Sequence, residues 1–193
     1  LAAAAAVAIE NARLYEGMKQ REQWQQGTNE IATAVLAGRD TDEVLALIAN
    51  RARRLTGADV ALVALPDDAE DLVVEIVDGR DEVPAPAAQA VLDVVAGWQA
   101  QSVPADSVIR TCFTDGLSRV ELSGEHVLAL SEWRFGPSLV VPLATADGVL
   151  GVLALLWAGE HEHIPNDVLD LAGSFASQAA VTLVLAQARR EHE

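Results

Sequence analysis

The chain has 193 residues, 51% of them hydrophobic, and its 29 acidic against 13 basic residues give a formal charge of −16. That is core enough for one ordinary domain plus an extension. It is too acidic for nucleic acid or an anionic membrane to be the partner unless a basic patch is present, and the densest basic cluster, Arg51, Arg53 and Arg54, reads as a solvated helix face.

From Leu1 to about Leu36 the sequence has no proline and is rich in Ala, Glu, Gln and Arg, which predicts one long helix. Its ends are apolar, but between Lys19 and Glu30 it is polar on nearly every side apart from Trp24, the pattern of a helix that bridges two bodies through solvent. Gly38 can end it in a left-handed cap. Asp40 followed by Glu43 looks like a capping box, and Val44, Leu47, Ile48, Ala52 and Leu55 then recur at helical spacing up to Gly57.

Ala58 to Leu65 and Leu72 to Val77 predict two short strands, broken by Pro66-Asp67-Asp68 and paired as an antiparallel hairpin. Ala87 to Ala96 is amphipathic. Residues 97–136 are the least regular part and hold most of the unusual side chains: Trp98, Cys112, Phe113, His126, Trp133 and Phe135. Ser138–Ala144 and Val149–Trp157 form the clearest hairpin, with Asp147-Gly148 as the turn signal between them. Pro142 is tolerable there only at an edge or a bulge. Asn166 or Asp167 can cap a final helix carrying Val168, Leu171, Ala172, Phe175, Ala179 and Leu183.

One cysteine, Cys112, excludes an intrachain disulfide framework and a cysteine-built zinc site, which fits a cytoplasmic setting. No apolar stretch is read as reaching the roughly 18 residues needed to span a bilayer. The chain starts at Leu1 and its one Met is Met18, so it is expected to be a piece of a longer protein. The run His161-Glu162-His163 lacks the i, i+4 spacing of a helical zinc motif and reads as an exposed turn; no metal is expected. Cys112 reads as a buried structural thiol and His126 as a satisfied histidine. There is no G-x-S-x-G elbow, Walker A loop or G-x-G-x-x-G loop, and no catalytic residue is assigned. Trp98, Trp133 and Phe135 are either ordinary core or the lining of a cavity over the sheet.

An internal repeat bears on domain organisation. Ala179-Ala180-Val181 matches Ala5-Ala6-Val7, and at the same offset Leu183 falls on Ile9 and Ala186 on Ala12. The first helix therefore reads as the closing helix of a preceding domain of the same kind.

Two stretches carry a resemblance. AAAAAVAIENARLYEGMKQREQW, residues 2–24, resembles the closing helix of a GAF domain, which ends A-x-A-I-x-N-A-R-L-Y. FGPSLVVPLATADGVLGVLALLWAG, residues 135–159, with PNDVLDLAGSFASQAAVTLVLA after it, resembles the last GAF hairpin and helix: a strand with proline, a turn, G-x-L-x-L, then F-A-x-Q-A. The order "end of first GAF, connector, second GAF" is similar to the DevS/DosS-type sensor histidine kinases of actinobacteria.

The resemblance implies an α+β fold: an antiparallel sheet of five to six strands with helices on both faces and a long N-terminal helix. Residues 1–38 would be the closing helix of a preceding GAF domain plus connector, and 39–193 a GAF domain leading toward a kinase core. The implied function is non-catalytic: relay of a redox or hypoxia signal from an upstream haem-type GAF domain to the kinase through the terminal helices. The partners implied are a second copy of the chain, the adjacent GAF and kinase domains, and a response regulator. The packing residues expected to carry the relay are Leu14, Met18, Trp24 and Ile31, with Phe175 and Leu183. Haem is implied only for the preceding domain, because the neighbourhood LSEWRFGPSLVVP has Glu132 and no histidine. The alternative is a small-molecule receptor whose pocket, within 98–135, is built from Trp98, Cys112, Phe113, His126, Trp133 and Phe135.

Overall fold

The computed structural model describes residue 33 and residues 37–79, 97–122, 136–157 and 163–190, with side chains as far as 188. Apart from Thr33, the predicted first helix, and with it Leu14, Met18, Trp24 and Ile31, lies outside the described residues, as does the amphipathic stretch 87–96.

Helix α1 runs Thr41–Thr56. The Asp40 carboxylate accepts from the Thr41 amide at 2.6 Å, and Glu43 faces Arg39 at 3.9 Å. Val44, Leu45, Ile48, Ala49 and Ala52 form its buried stripe, and Gly57 closes it at φ 71°, a left-handed conformation that a side chain would resist. Strands β1 (Val60–Pro66) and β2 (Leu72–Gly79) follow as an antiparallel pair with a bulge at Val63/Ala64.

The segment read as least regular contains two short elements: helix α2 (Val108–Asp115) and strand β3 (Arg119–Glu121). The sequence VIRTCFTD is rich in β-branched and aromatic residues, which disfavour a helix. Its ends compensate. Ser107 Oγ accepts from the Arg110 amide at 3.1 Å, and Gly116 returns its amide to Cys112 O at 2.9 Å.

The second hairpin is β4 (Ser138–Thr145) and β5 (Gly148–Leu156). Its turn is one residue earlier than expected. Thr145 pairs with Gly148, so Ala146-Asp147 form the two-residue loop and Gly148, at φ 145°, begins β5. Pro142 sits just before a bulge at Leu143/Ala144, and β3 covers β4 only along Ser138–Val140, so proline displaces no ladder bond with β3.

The sheet order is β2-β1-β5-β4-β3, every neighbouring pair antiparallel. This five-stranded sheet with helices is the expected α+β architecture. Central β1 is buried along all but its last residue, because its two faces serve different layers. Ala61, Val63 and Leu65, with Leu153 and Leu155 of β5, meet α1 and helix α3 (Asn166–Arg190). The alternate residues Val60, Leu62 and Ala64, with Val152, Ala154 and Leu156, meet α2.

Helix α3 corrects one expectation. Within Asn166–Ala188 an 18-residue stretch reaches a mean hydropathy of 1.6, long and apolar enough to cross a membrane by length and composition alone. From Leu171 to Ala188 it carries no charge, and its polar residues are Ser, Thr and Gln. One side of this helix lies on β4 and α1 through Ala172, Phe175, Ala176, Ala179, Ala180, Leu183 and Ala186.

Candidate functional site: the two faces of the sheet

On the α2 face, the loop after residue 96 is bound to the outer edge of β2. Ala100 donates to Val74 O (2.7 Å), Val74 to Gln101 O (3.0 Å) and Val103 to Leu72 O (2.7 Å). Ala100 adopts φ 62° to make this turn. The result carries Trp98, 3% exposed, over the sheet, into one apolar cluster with Cys112, Ile109, Val140 and Leu156, against which Phe113 packs half-buried. Three of the six candidate pocket residues therefore share a face. His126, Trp133 and Phe135 lie outside the described residues.

Burial among apolar groups, reinforced by the nearby Asp115 carboxylate, pushes the Cys112 thiol up to about 12. It is a neutral, unreactive thiol at physiological pH.

Polar groups fringe this apolar floor. Arg110 reaches Asp71 Oδ1 at 2.5 Å and Val103 O at 2.8 Å, and Ser102 Oγ donates to Asp71 Oδ2. The Ser102 hydroxyl and then the Arg110 guanidinium hold the Asp71 carboxyl below its usual range. Asp115 accepts from the Leu117 amide and pairs with Arg119, which lower its pKa in that order.

The register sets Ser138 of β4 beside Glu121 of β3 and Leu156 of β5, on the α2 side of the sheet. Ser138 is 0% exposed, and among the described residues neither its Oγ nor the buried Oε2 of Glu121 has a hydrogen-bond partner. Sequence reasoning missed this pair. Glu121 and Ser138 are 17 positions apart, and only strand pairing joins them.

On the opposite face, Phe175 (2% exposed) and Leu183 (0%) sit in the core with α1, β4 and β5. Arg53, buried at the end of α1, donates from Nε to Asp78 Oδ2 of β2 at 2.6 Å and fastens α1 across the sheet edge. It belongs to the cluster read as solvated; the packing of α1 on β2 turns it inward. The outer side of α3 shows Val181 (55% exposed), Val184 (40%) and Leu185 (56%). This stripe was legible as apolar residues at i, i+3 and i+4 but was not singled out.

A family model for the GAF domain matches residues 38–184. Among solved structures, the chain is similar to the GAF-B domain of DevS from Mycobacterium smegmatis, with 32% identity and a TM-score of 0.63 over 80% of this chain and 100% of that one. It is similar in fold to the GAF domain of a phosphoenolpyruvate-protein phosphotransferase from Coxiella burnetii (15% identity, TM-score 0.67, 88% of this chain and 98% of that one). The same holds for the free methionine-R-sulfoxide reductase from Neisseria meningitidis, solved in complex with its substrate (17% identity, TM-score 0.62, 86% and 91%).

Proposed function

Since the chain belongs to the GAF domain family, we propose that it is the regulatory, non-catalytic second GAF domain of a cytoplasmic two-component sensor histidine kinase. It relays the state of an upstream haem-type GAF domain to the kinase core through its terminal helices and binds no haem itself. The likeness to a DevS GAF-B domain supports the kinase context.

The observation that carries the relay is the two-sidedness of α3. Phe175 and Leu183 lock one side to the sheet, while Val181, Val184 and Leu185 leave an apolar stripe outward. A helix that carries no charge between Leu171 and Ala188 and turns an apolar stripe outward fits a partner helix in a homodimer. Movement of the sheet is then transmitted to the partner and onward along the helix, which requires two helix arrangements that the upstream site biases differently.

The test is the double change Val181→Asp with Leu185→Asp, both exposed and so tolerated by the fold. Sedimentation velocity is expected to show a shift from dimer to monomer. In the parent kinase, the signal dependence of autophosphorylation is expected to fall while the fold persists by circular dichroism. An unchanged dimer and an unchanged kinase response reject the relay.

A second reading has its own observation. The buried Ser138 hydroxyl beside Glu121 favours a small-molecule receptor on the α2 face, since buried polar groups are rarely left without a partner. Native mass spectrometry separates the two: a stoichiometric extra mass lost on denaturation makes the domain a receptor, and a bare chain mass supports relay.

A further inference from the structure

On the helix side of the sheet, away from Trp98, Cys112 and Ser138, a cavity of about 140 Å³ opens between the end of α1, the end of β5 and the start of α3. Among the described residues it is lined by Thr56, Trp157, His163, Ile164, Pro165 and Val168. Its walls are held by the backbone. Trp157 accepts from Gly136 N at 2.9 Å and donates to Pro137 O at 3.1 Å, so the indole is carried on an extension of the hairpin. The Thr56 hydroxyl is turned into its own helix, donating to Ala52 O at 2.7 Å. Pro165 O accepts from Val168 and Leu169, fixing the first turn of α3. Trp157 and Ile164 are buried, whereas His163 and Pro165 are exposed and mark the mouth.

We propose that this cavity is a binding site for a single aromatic ring bearing one hydrogen-bonding substituent, a phenol-like molecule, seated against the Trp157 indole with its polar end toward His163. Three observations carry it. The volume suits one ring, since an apolar cavity of roughly 150 Å³ admits benzene. The lining is mostly apolar, with one wall aromatic and able to stack. The walls are pre-formed, which lowers the ordering cost of binding. The occupant touches the last turn of α1 and the first turn of α3. The site does not depend on the relay reading, because binding is measured on the chain alone.

The probe is 4-fluorophenol, titrated into the full 193-residue chain and followed by methyl NMR. A ligand this small is expected to bind with Kd on the order of 1 mM. The Ile164 and Val168 methyls should shift saturably while those of Ile109 and Val140, on the other face, stay in place. In Val168→Phe, whose ring occupies the cavity, affinity is expected to fall by about tenfold or more. Absence of saturable shifts, shifts centred on Ile109 and Val140, or undiminished binding by a folded Val168→Phe variant would each overturn the proposal. If that variant fails to fold, the wild-type methyl map decides.

Discussion

At the residue scale, the tightest constraint is Gly151 in β5. A Cβ there would lie 2.3 Å from Leu65 Cδ2 and 2.5 Å from Ala64 O, and the second atom is backbone that cannot step aside. Gly151→Ala is therefore expected to cost about 1–3 kcal/mol by overpacking, read as a lower urea midpoint with an unchanged m-value. A midpoint equal to wild type would show that the β1–β5 spacing relaxes. Nothing local in G-V-L-G-V-L-A-L-L says which glycine faces a neighbouring backbone; the register decides it.

Cys112 gives the second residue-level expectation. Its folded-state pKa, about 12, lies above the ordinary 9.0. For an acid raised on folding, stability is fully present while both states hold the proton and falls once the unfolded state loses it. Wild-type stability should therefore decline from about pH 9 upward, and more steeply than that of Cys112→Ala. Parallel alkaline limbs would count against burial of the thiol. The native thiol should also react with a disulfide reagent only as the domain opens.

At the element scale, α2 shows how capping and tertiary ties rescue a poor helix former. Its N-terminal half is tied to the start of β2 by Arg110, Asp71 and Ser102. Asp71 is lowered from its ordinary 3.8, so its contribution is present above that value and is lost as pH falls through the folded-state pKa. Wild type is thus expected to lose stability below about pH 4 more steeply than Asp71→Asn, which is the less stable at neutral pH. Superimposable acid limbs would mean that the tie does not hold α2. Elements with strong periodicity or turn chemistry (α1, β1, the β4–β5 hairpin and α3) were legible. The short α2 and β3 were not, because their stability comes from caps and from neighbours distant in sequence.

At the scale of the whole molecule, the formal charge of −16 acts on the compact state by self-repulsion. Raising ionic strength from low salt should increase the thermal midpoint by a few °C, on the order expected when long-range repulsion is screened. A flat response would mean that local pairs such as Arg53–Asp78 already offset the excess.

Composition and period, acting through local physics, marked the central apolar strands and the helices, since hydrophobic spacing is written along the chain; the α+β class came with the resemblance. Which residues meet was decided only by the tertiary structure. Trp98, Cys112 and Phe113 share one face and Phe175 and Leu183 the other because α2 and the loop after residue 96 pack on one side of the sheet and α3 on the other, each against alternate strand residues. Ser138 meets Glu121, and Arg53 meets Asp78, because strand pairing and helix docking bring together positions that no local spacing relates.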